Sequence, residues 1–443
     1  MTLNQSVLIK LTKVNARNRK ISLLRYQMAL VCIVPETSNL CEDLSFSVNT
    51  IGSVEKTVAC FTCIGDGTML VPRYSVLSPE EKTNLDLPKP ELFLGSLREN
   101  QVHAVTRMYS DLASYGSSIG YLYTGFGKTA CALYIAACLQ PKIVNVYVHK
   151  LALVLQWQEA AKRFVPDIVI NILTVQKQLH NLSEMHDVQD ALVILDEAHH
   201  YPAYCFSRIL SNTNARYVLA LSATVERRDG LSKILDLYLG SPSVNITNLT
   251  LKPRVYVSKF DGGENLYDFT SRRIRNETVL DYNDVINKLV ASEERNIHIL
   301  DVLEKLGPRN VLILSRRRGH VEHLYLQNKE RDALCDNRIL VGNMKKADIE
   351  TAKQVSEDQQ FLRLFATTGA ASEGFDMSIL NTVLFATPSC SVQQEVGRIL
   401  RKEQVTSCLV VDVVDNCRIL WSQYAKRKRF YDEHGLEYIK RIE

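Results

Sequence analysis

Phosphate chemistry is suggested at three places in the chain. The first is Gly125-Phe126-Gly127-Lys128-Thr129, preceded by Leu122-Tyr123-Thr124 and opening onto an apolar run, Ala130 to Leu139. A glycine-bearing turn that runs into a helix N-terminus offers an anion free backbone N–H groups and the positive end of the helix dipole. Gly125 and Gly127 let the backbone wrap tightly. In such a loop Lys128 reaches the β- and γ-phosphates and the Thr129 hydroxyl holds Mg²⁺. The strict pattern wants glycine where Leu122 stands. The second place is Asp196-Glu197-Ala198-His199-His200, at the end of the apolar run Ala191 to Leu195. One carboxylate can hold Mg²⁺ through water, and the next can orient and deprotonate the attacking water. An Asp-Glu pair can also simply cap a helix, but downstream of a phosphate loop the catalytic reading is favoured. The third place is Gln393-Gln394-Glu395-Val396-Gly397-Arg398-Ile399-Leu400-Arg401. On a helix Arg398 and Arg401 share a face, which suits two guanidiniums completing a phosphate site from a facing domain or, equally, a basic surface.

Ser222-Ala223-Thr224 closes another apolar run, Tyr217 to Leu221. Its hydroxyls can hydrogen-bond back to the acidic motif and report on nucleotide state, or form a plain Ser/Thr turn.

These groups need elements to hold them. Ile119 to Tyr123, Lys142 to Val148, Ala191 to Leu195 and Tyr217 to Leu221 are short, nearly continuous apolar runs separated by helix-like segments. Strands buried on both faces and alternating with helices imply a parallel α/β sheet, which places ligands at the C-terminal ends of its strands. After a polar stretch near 240–250 a second series follows: Val311 to Ser315, Leu362 to Thr367, Thr382 to Ala386 and Cys408 to Val414. It has no phosphate loop of its own. The first ninety residues read as a small β-rich or α+β domain, with strands at Ser6 to Leu11, Met28 to Val34 and Val58 to Ile64, and a turn at Gly65-Asp66-Gly67. Residues 79–90 read as a linker.

With 443 residues, the chain is too long for one core. A net charge of +4 makes any nucleic-acid surface local rather than global. No apolar run is long enough to span a membrane, and the start lacks a signal-peptide core. Eleven scattered cysteines without such a signal fit reduced thiols and an intracellular, soluble protein. Cys60 and Cys63 form a lone C-x-x-C whose nearest further zinc ligands would be Cys32 and Cys41; buried small hydrophobes are the better reading.

Taken together, Gly125-Phe126-Gly127-Lys128-Thr129, Asp196-Glu197-Ala198-His199, Ser222-Ala223-Thr224 and Gln394-x-x-Gly397-Arg398-x-x-Arg401 resemble motifs I, II, III and VI of superfamily 2 helicases. Leu97-Arg98-x-x-Gln101 resembles the Q-motif of the XPB and restriction-subunit branch, and Gln156-Trp157 the end of motif Ia. Ala223-Thr224-Val225-x-Arg227-x-Asp229-Gly230 is similar to that branch's extension of motif III, with Val225 in place of proline. Glu373-Gly374-Phe375-Asp376 resembles motif V. Leu70-Val71-Pro72-Arg73-Tyr74, and Glu293-Glu294-Arg295-Asn296 read as lying before a helix, resemble segments of members in large DNA viruses, poxviral transcript-release helicases among them.

The resemblance implies two tandem RecA-like parallel-sheet domains, residues 91–245 and 246–430, behind a small N-terminal domain (1–90) and before a short tail (431–443). It implies ATP and Mg²⁺ as cofactors. Gln101, Thr124, Gly125, Phe126, Gly127, Lys128, Thr129, Gly374 and Asp376 would bind nucleotide. Lys128, Asp196, Glu197, His199, Gln394, Arg398 and Arg401 would be catalytic, Thr129 and Asp196 would hold the metal, and Ser222 and Thr224 would couple. Ser315, Arg316, Thr367 and Thr368 would grip nucleic acid, DNA rather than RNA, in viral transcription or replication. Arg316-Arg317-Arg318 and Lys426-Arg427-Lys428-Arg429 are the basic runs, and each also reads as a solvated face. The alternatives are a duplex translocase that separates no strands, and a nucleic-acid-binding module with a dead ATP site; the intact catalytic set argues against the second.

Arg398 yields a prediction. As an arginine finger it should supply roughly 10³–10⁵ in rate, so Arg398→Ala is expected to collapse ATP turnover while ATP binding persists. Undiminished turnover in that variant would remove Arg398 from the chemistry.

Overall fold

The computed structural model describes residues 30–49, 55–63, 67–76, 84–180, 188–201, 207–213, 215–225, 231–246, 252–274, 277–332, 335–342, 344, 361–372, 377, 379–389, 392–399 and 407–442. The strand expected at Ser6 to Leu11, and Gly65 and Asp66 of the expected turn, lie outside the described residues. The chain divides into two compact units, Met1–Tyr123 with Gly127–Thr247, and Thr124–Phe126 with Asn248–Glu443.

The first unit begins with antiparallel strands. β1 (Val31–Pro35), β2 (Ser45–Asn49), β3 (Glu55–Ala59), β4 (Thr62–Cys63) and β5 (Thr68–Pro72) form a three-stranded sheet, order β1-β5-β4, and a separate β2-β3 pair. Their apolar residues do not make a private core. Leu30, Val34, Leu44, Cys60, Met69 and Val71 join one cluster with Ile119, Tyr121, Leu195 and Ala220 of the following sheet. Cys60 is buried as expected of a small hydrophobe, whereas Cys63 is exposed. The described cysteines are free thiols, and no group of His, Cys, Asp or Glu among the described residues could hold a metal ion by itself. Beyond β5 the chain is pinned to the parallel sheet: Arg73 Nη1 donates to the Tyr115 carbonyl at 2.6 Å, and the Tyr74 hydroxyl stands 3.3 Å from Ser117 Oγ. The end of the expected linker also lies on the unit. Leu85 N–H donates to Ser110 Oγ, and the Pro88 carbonyl accepts from the Tyr134 hydroxyl.

Six parallel strands follow: β6 (Ser117–Leu122), β7 (Ile143–Val148), β8 (Ile170–Thr174), β9 (Val188–Asp196), β10 (Ala215–Ser222) and β11 (Val244–Ile246), in the order β11-β6-β10-β9-β7-β8. The four expected strands are β6, β7, β9 and β10. β8 and β11 were not anticipated, because β8 is half-exposed and β11 has only three residues.

The second unit carries seven parallel strands: β12 (Arg254–Phe260), β15 (Val311–Ser315), β16 (Asp336–Leu340), β17 (Leu362–Thr367), β18 (Thr382–Phe385), β19 (Leu409–Asp415) and β20 (Tyr438–Ile439), in the order β16-β17-β15-β18-β19-β12-β20. Between β12 and β15 lies a separate antiparallel hairpin, β13 (Ser271–Ile274) and β14 (Glu277–Leu280). Two parallel sheets clothed in helices, with a small antiparallel sheet in front, are the tandem RecA-like architecture. No described helix is long and apolar enough to cross a membrane.

The segment Glu293-Glu294-Arg295-Asn296 does not precede a helix; it opens one. Ser292 caps the helix Glu293–Lys305 by accepting from Arg295 N–H, and the two glutamates meet the positive end of its dipole. Arg295 is fully buried. Its Nε and Nη2 fork onto Asp415 at 2.6 and 3.0 Å, and its Nη1 donates to the Ala386 carbonyl at 2.7 Å. One side chain thus ties the helix to the ends of β18 and β19. Removing one partner of a buried ion pair costs about 3–5 kcal/mol. Arg295→Ala is therefore expected to lower the urea midpoint of the transition followed by circular dichroism well below that of an exposed control such as Arg318→Ala. Equal midpoints would show that the pair contributes nothing.

Candidate functional site

β6 ends at Leu122, which is fully buried. The position where the strict loop pattern wants glycine is thus still strand here, and leucine fits it. The turn spans Thr124 and Gly125, and the helix Lys128–Leu139 starts directly after Gly127. Gly125 and Gly127 have φ of 93° and 92°, in the left-handed region that only glycine occupies freely. A Cβ on Gly127 would lie 2.5 Å from Gln101 Nε2 and 3.0 Å from Arg98 Nη2. Gln101 is held in place because its Oε1 accepts from Arg98 N–H at 2.8 Å. The expected Q-motif residue therefore lies against the phosphate loop. Phe126 is fully buried.

β9 brings the acidic motif to the same edge. Lys128 Nζ donates to Glu197 Oε1 at 3.2 Å. Asp196 Oδ1 accepts from Glu197 N–H at 3.0 Å, and its Oδ2 from Trp157 Nε1 at 2.8 Å. Glu197 has a left-handed backbone, φ 48° and ψ 54°, a strained conformation for a side chain of this kind. Burial, then the charge of Glu197, pushes the Asp196 carboxyl up to about 6. Burial would raise Glu197 as well, but the attraction of Lys128 and His199 outweighs it and holds that carboxyl below its usual range. Glu197 is thus the ionised partner. Its Oε2 is buried and accepts no hydrogen bond, with His199 Nδ1 at 3.4 Å.

β10 lies between β6 and β9 in the sheet, and its last residue links to the acidic motif. Ser222 Oγ is 2.9 Å from His199 Nδ1. It also accepts from Thr224 N–H and donates to the Thr224 carbonyl, both at 3.0 Å. With its one proton spent on that carbonyl, Ser222 must accept from His199, which assigns the Nδ1–H form. Ser222 thus makes the local turn and also reaches the acidic motif. Val225, where the family has proline, packs against the unit's core. Sequence reading missed the three-ring stack in which His200 stands 4.3 Å from His149 and 4.1 Å from His199. Burial pushes His149 down to about 4, so it is neutral near pH 7.

Ser315 and Thr367 are register partners at the ends of β15 and β17, and the Thr368 hydroxyl donates to the Ser315 carbonyl at 3.3 Å. Ser315 itself is 1% exposed, with its Oγ 2.8 Å from His320 Nδ1. Its hydroxyl is thus engaged within the unit, and Arg317 N–H donates to the same Oγ at 3.3 Å. Asn296 Oδ1 meets the other ring nitrogen of His320 at 2.9 Å. The three arginines that follow differ. Arg316 lies over the Tyr282 ring, 5.2 Å from its centroid. Arg317 forks onto Asn287 and Asn283 at 3.0 and 2.9 Å, and Arg318 pairs with Glu322. Arg316 and Arg317 are thus held by neutral groups. In the other basic run Arg427 is buried against Asp412, while Lys428 and Arg429 pair with Asp432 and Glu433. That run is a structural tie with a solvated face. Gln394 and Arg398 lie on the short helix Gln393–Arg398. Gly374, Asp376, Arg227, Asp229 and Arg401 lie outside the described residues.

Residues 167–227, which span β9 and β10, match the family "Type III restriction enzyme, res subunit". Protein 161L of Invertebrate iridescent virus 6, named as a helicase, is 28% identical over 77% of this chain and 82% of its own length. Protein L396 of Acanthamoeba polyphaga mimivirus, named as an ATP-dependent RNA helicase, is 27% identical over 80% of this chain and 70% of its own. The DNA 3'-5' translocase XPB2 of Sulfurisphaera tokodaii is 27% identical over 37% of this chain and 38% of its own. A glycine-bearing loop, an acidic strand end and a serine linked to it, on adjacent strands of one parallel sheet, together with these likenesses, mark the chain as an ATP-hydrolysing helicase or translocase similar to the XPB and restriction-subunit branch of superfamily 2.

Proposed function

We propose that the chain moves along DNA, with Lys128, Thr129, Asp196 and Glu197 forming its ATP site and Arg316 and Arg317 gripping strand phosphates. One observation carries the reading of the ATP site: Lys128 and Glu197, far apart in sequence, stand 3.2 Å apart beside a carboxylate fixed at both oxygens. Arriving phosphates would take the Lys128 ammonium from Glu197. The freed, ionised carboxylate could then accept a proton from the attacking water. Thr129 and Asp196 are the residues that would hold a magnesium ion. Hard oxygen donors, with the unsatisfied Oε2 of Glu197 beside them, fit that ion. Bound there, it would neutralise charge on the phosphates. His199 and Ser222 would pass the state of the site to the end of β10. Gln394, Arg398 and Arg401 stay in the catalytic set on the strength of motif VI alone.

For the strand, what matters is that Arg316 and Arg317 meet no carboxylate among the described residues, so their charge is available to phosphate. Thr367 and Thr368 frame the same strand ends. DNA is favoured by the name of the archaeal relative; the name of the mimivirus relative makes RNA the arm to test. That archaeal name also supports translocation without strand separation as the second reading. ATPase stimulation by single-stranded DNA, duplex DNA and RNA, followed by displacement of tailed duplexes, separates these.

Lys128→Ala is expected to abolish hydrolysis with the circular dichroism spectrum unchanged. Glu197→Gln should keep nucleotide affinity and lose turnover; joint loss of both would give Glu197 a structural role instead. Affinity for DNA should fall as salt rises. Arg316→Ala or Arg317→Ala should each flatten the plot of log affinity against log salt by about 0.7–0.9, and Tyr282→Ala should reproduce part of the Arg316 effect. Unchanged slopes in all three would remove this loop from the interface.

A further inference from the structure

Trp157 belongs to the helix Leu151–Phe164, which begins where β7 ends, and β7 is the sheet neighbour of β9. Its side chain is 1% exposed, and its Nε1–H donates to Asp196 Oδ2 at 2.8 Å. The other oxygen of that carboxylate accepts from Glu197 N–H at 3.0 Å. An indole N–H can only donate. It therefore demands an acceptor at that point and cannot exchange roles with Asp196. A short aspartate side chain held at both oxygens has lost its rotational freedom, and each oxygen keeps a lone pair directed elsewhere. A tryptophan needed only for volume would not have to aim its single polar atom at the acidic motif.

We propose that Trp157 is a positioning residue of the ATP site, whose indole N–H holds the Asp196 carboxylate in the orientation that receives a hydrated magnesium ion. The proposal rests on the assignment of Asp196 as the metal-side carboxylate. Groups that orient a metal ligand from behind typically govern about 10–100-fold in metal affinity or activity. Trp157→Phe keeps an aromatic ring and deletes the donor.

The test needs two readouts. Trp157 and Trp421 are the only tryptophans, so Trp421→Phe leaves Trp157 as the sole indole emitter. In that protein, adding Mg²⁺ to the ADP complex should change the emission beyond what ADP does in EDTA. No change would overturn the proposal, and this arm stands even if Trp157→Phe fails to fold. In folded Trp157→Phe the Mg²⁺ concentration for half-maximal hydrolysis should rise about tenfold or more, while ATP binding measured without Mg²⁺ moves less than about twofold. An unchanged Mg²⁺ requirement would also overturn it. Asp196→Asn separates the two assignments. If Mg²⁺ binding to the ADP complex, followed by the same emission, is unaltered by Asp196→Asn, the reading of Asp196 fails. If it weakens there while the Mg²⁺ requirement for hydrolysis is unchanged in Trp157→Phe, only the role of Trp157 fails.

Discussion

Two carboxylates side by side at a strand end, largely shut off from water, repel each other and lose hydration, and the first unit is arranged around that cost. The offset is a lysine at the start of the helix that follows a different strand. Bringing Lys128 to Glu197 requires the loop after β6 to face the end of β9, and the sheet order β6-β10-β9 does this with one strand between them. The intervening strand is not idle, since its last residue, Ser222, bonds to His199 of the acidic motif. The division of charge follows from position. Glu197 lies under the ammonium and stays ionised, whereas Asp196 is deeper and is raised. The lysine and the glutamate satisfy each other, so neither is left as a bare buried charge.

The second unit faces the same problem and resolves it with arginine. β19 carries Asp412 and Asp415, both essentially inaccessible. Arg427 reaches the first from the helix Arg418–Glu433, and Arg295 reaches the second from the helix Glu293–Lys305. A guanidinium remains charged when buried and matches a carboxylate through two parallel bonds. These acids are thereby committed to holding helices against the sheet. Buried acids on a strand therefore do not by themselves resemble the end of β9; what separates β9 from β19 is the cation supplied to it.

Much of this was legible from residue types. The loop, the acidic pair and the serine each combine a rare spacing with an apolar run, and an apolar run buried on both faces has few interpretations. Strands that alternate polar and apolar residues were missed. β12 reads Arg-Val-Tyr-Val-Ser-Lys-Phe and β16 reads Asp-Asn-Arg-Ile-Leu; each has a polar face that a search for continuous apolar runs passes over. The arginine runs could not be sorted from sequence, because whether Arg316, Arg318 or Arg427 keeps its charge for a ligand depends on partners such as Tyr282, Glu322 and Asp412 that only the fold brings near. The left-handed Glu197 and the Trp157 bond to Asp196 carry no sequence signature at all.

The sheet order also bears on how the first unit is made. β6 and its phosphate loop leave the ribosome before the other five strands of their sheet, yet the two strands they pair with, β10 and β11, are the last to appear. β7, β8 and β9 can pair among themselves as they emerge, whereas β6, buried along its whole length in the finished protein, must wait without a sheet neighbour. Late pairing between distant strands is slow and leaves apolar surface open in the meantime. The segment that carries the loop is therefore left unpaired during synthesis, and slowed elongation between β9 and β11 would lengthen the interval in which a chaperone has to cover it.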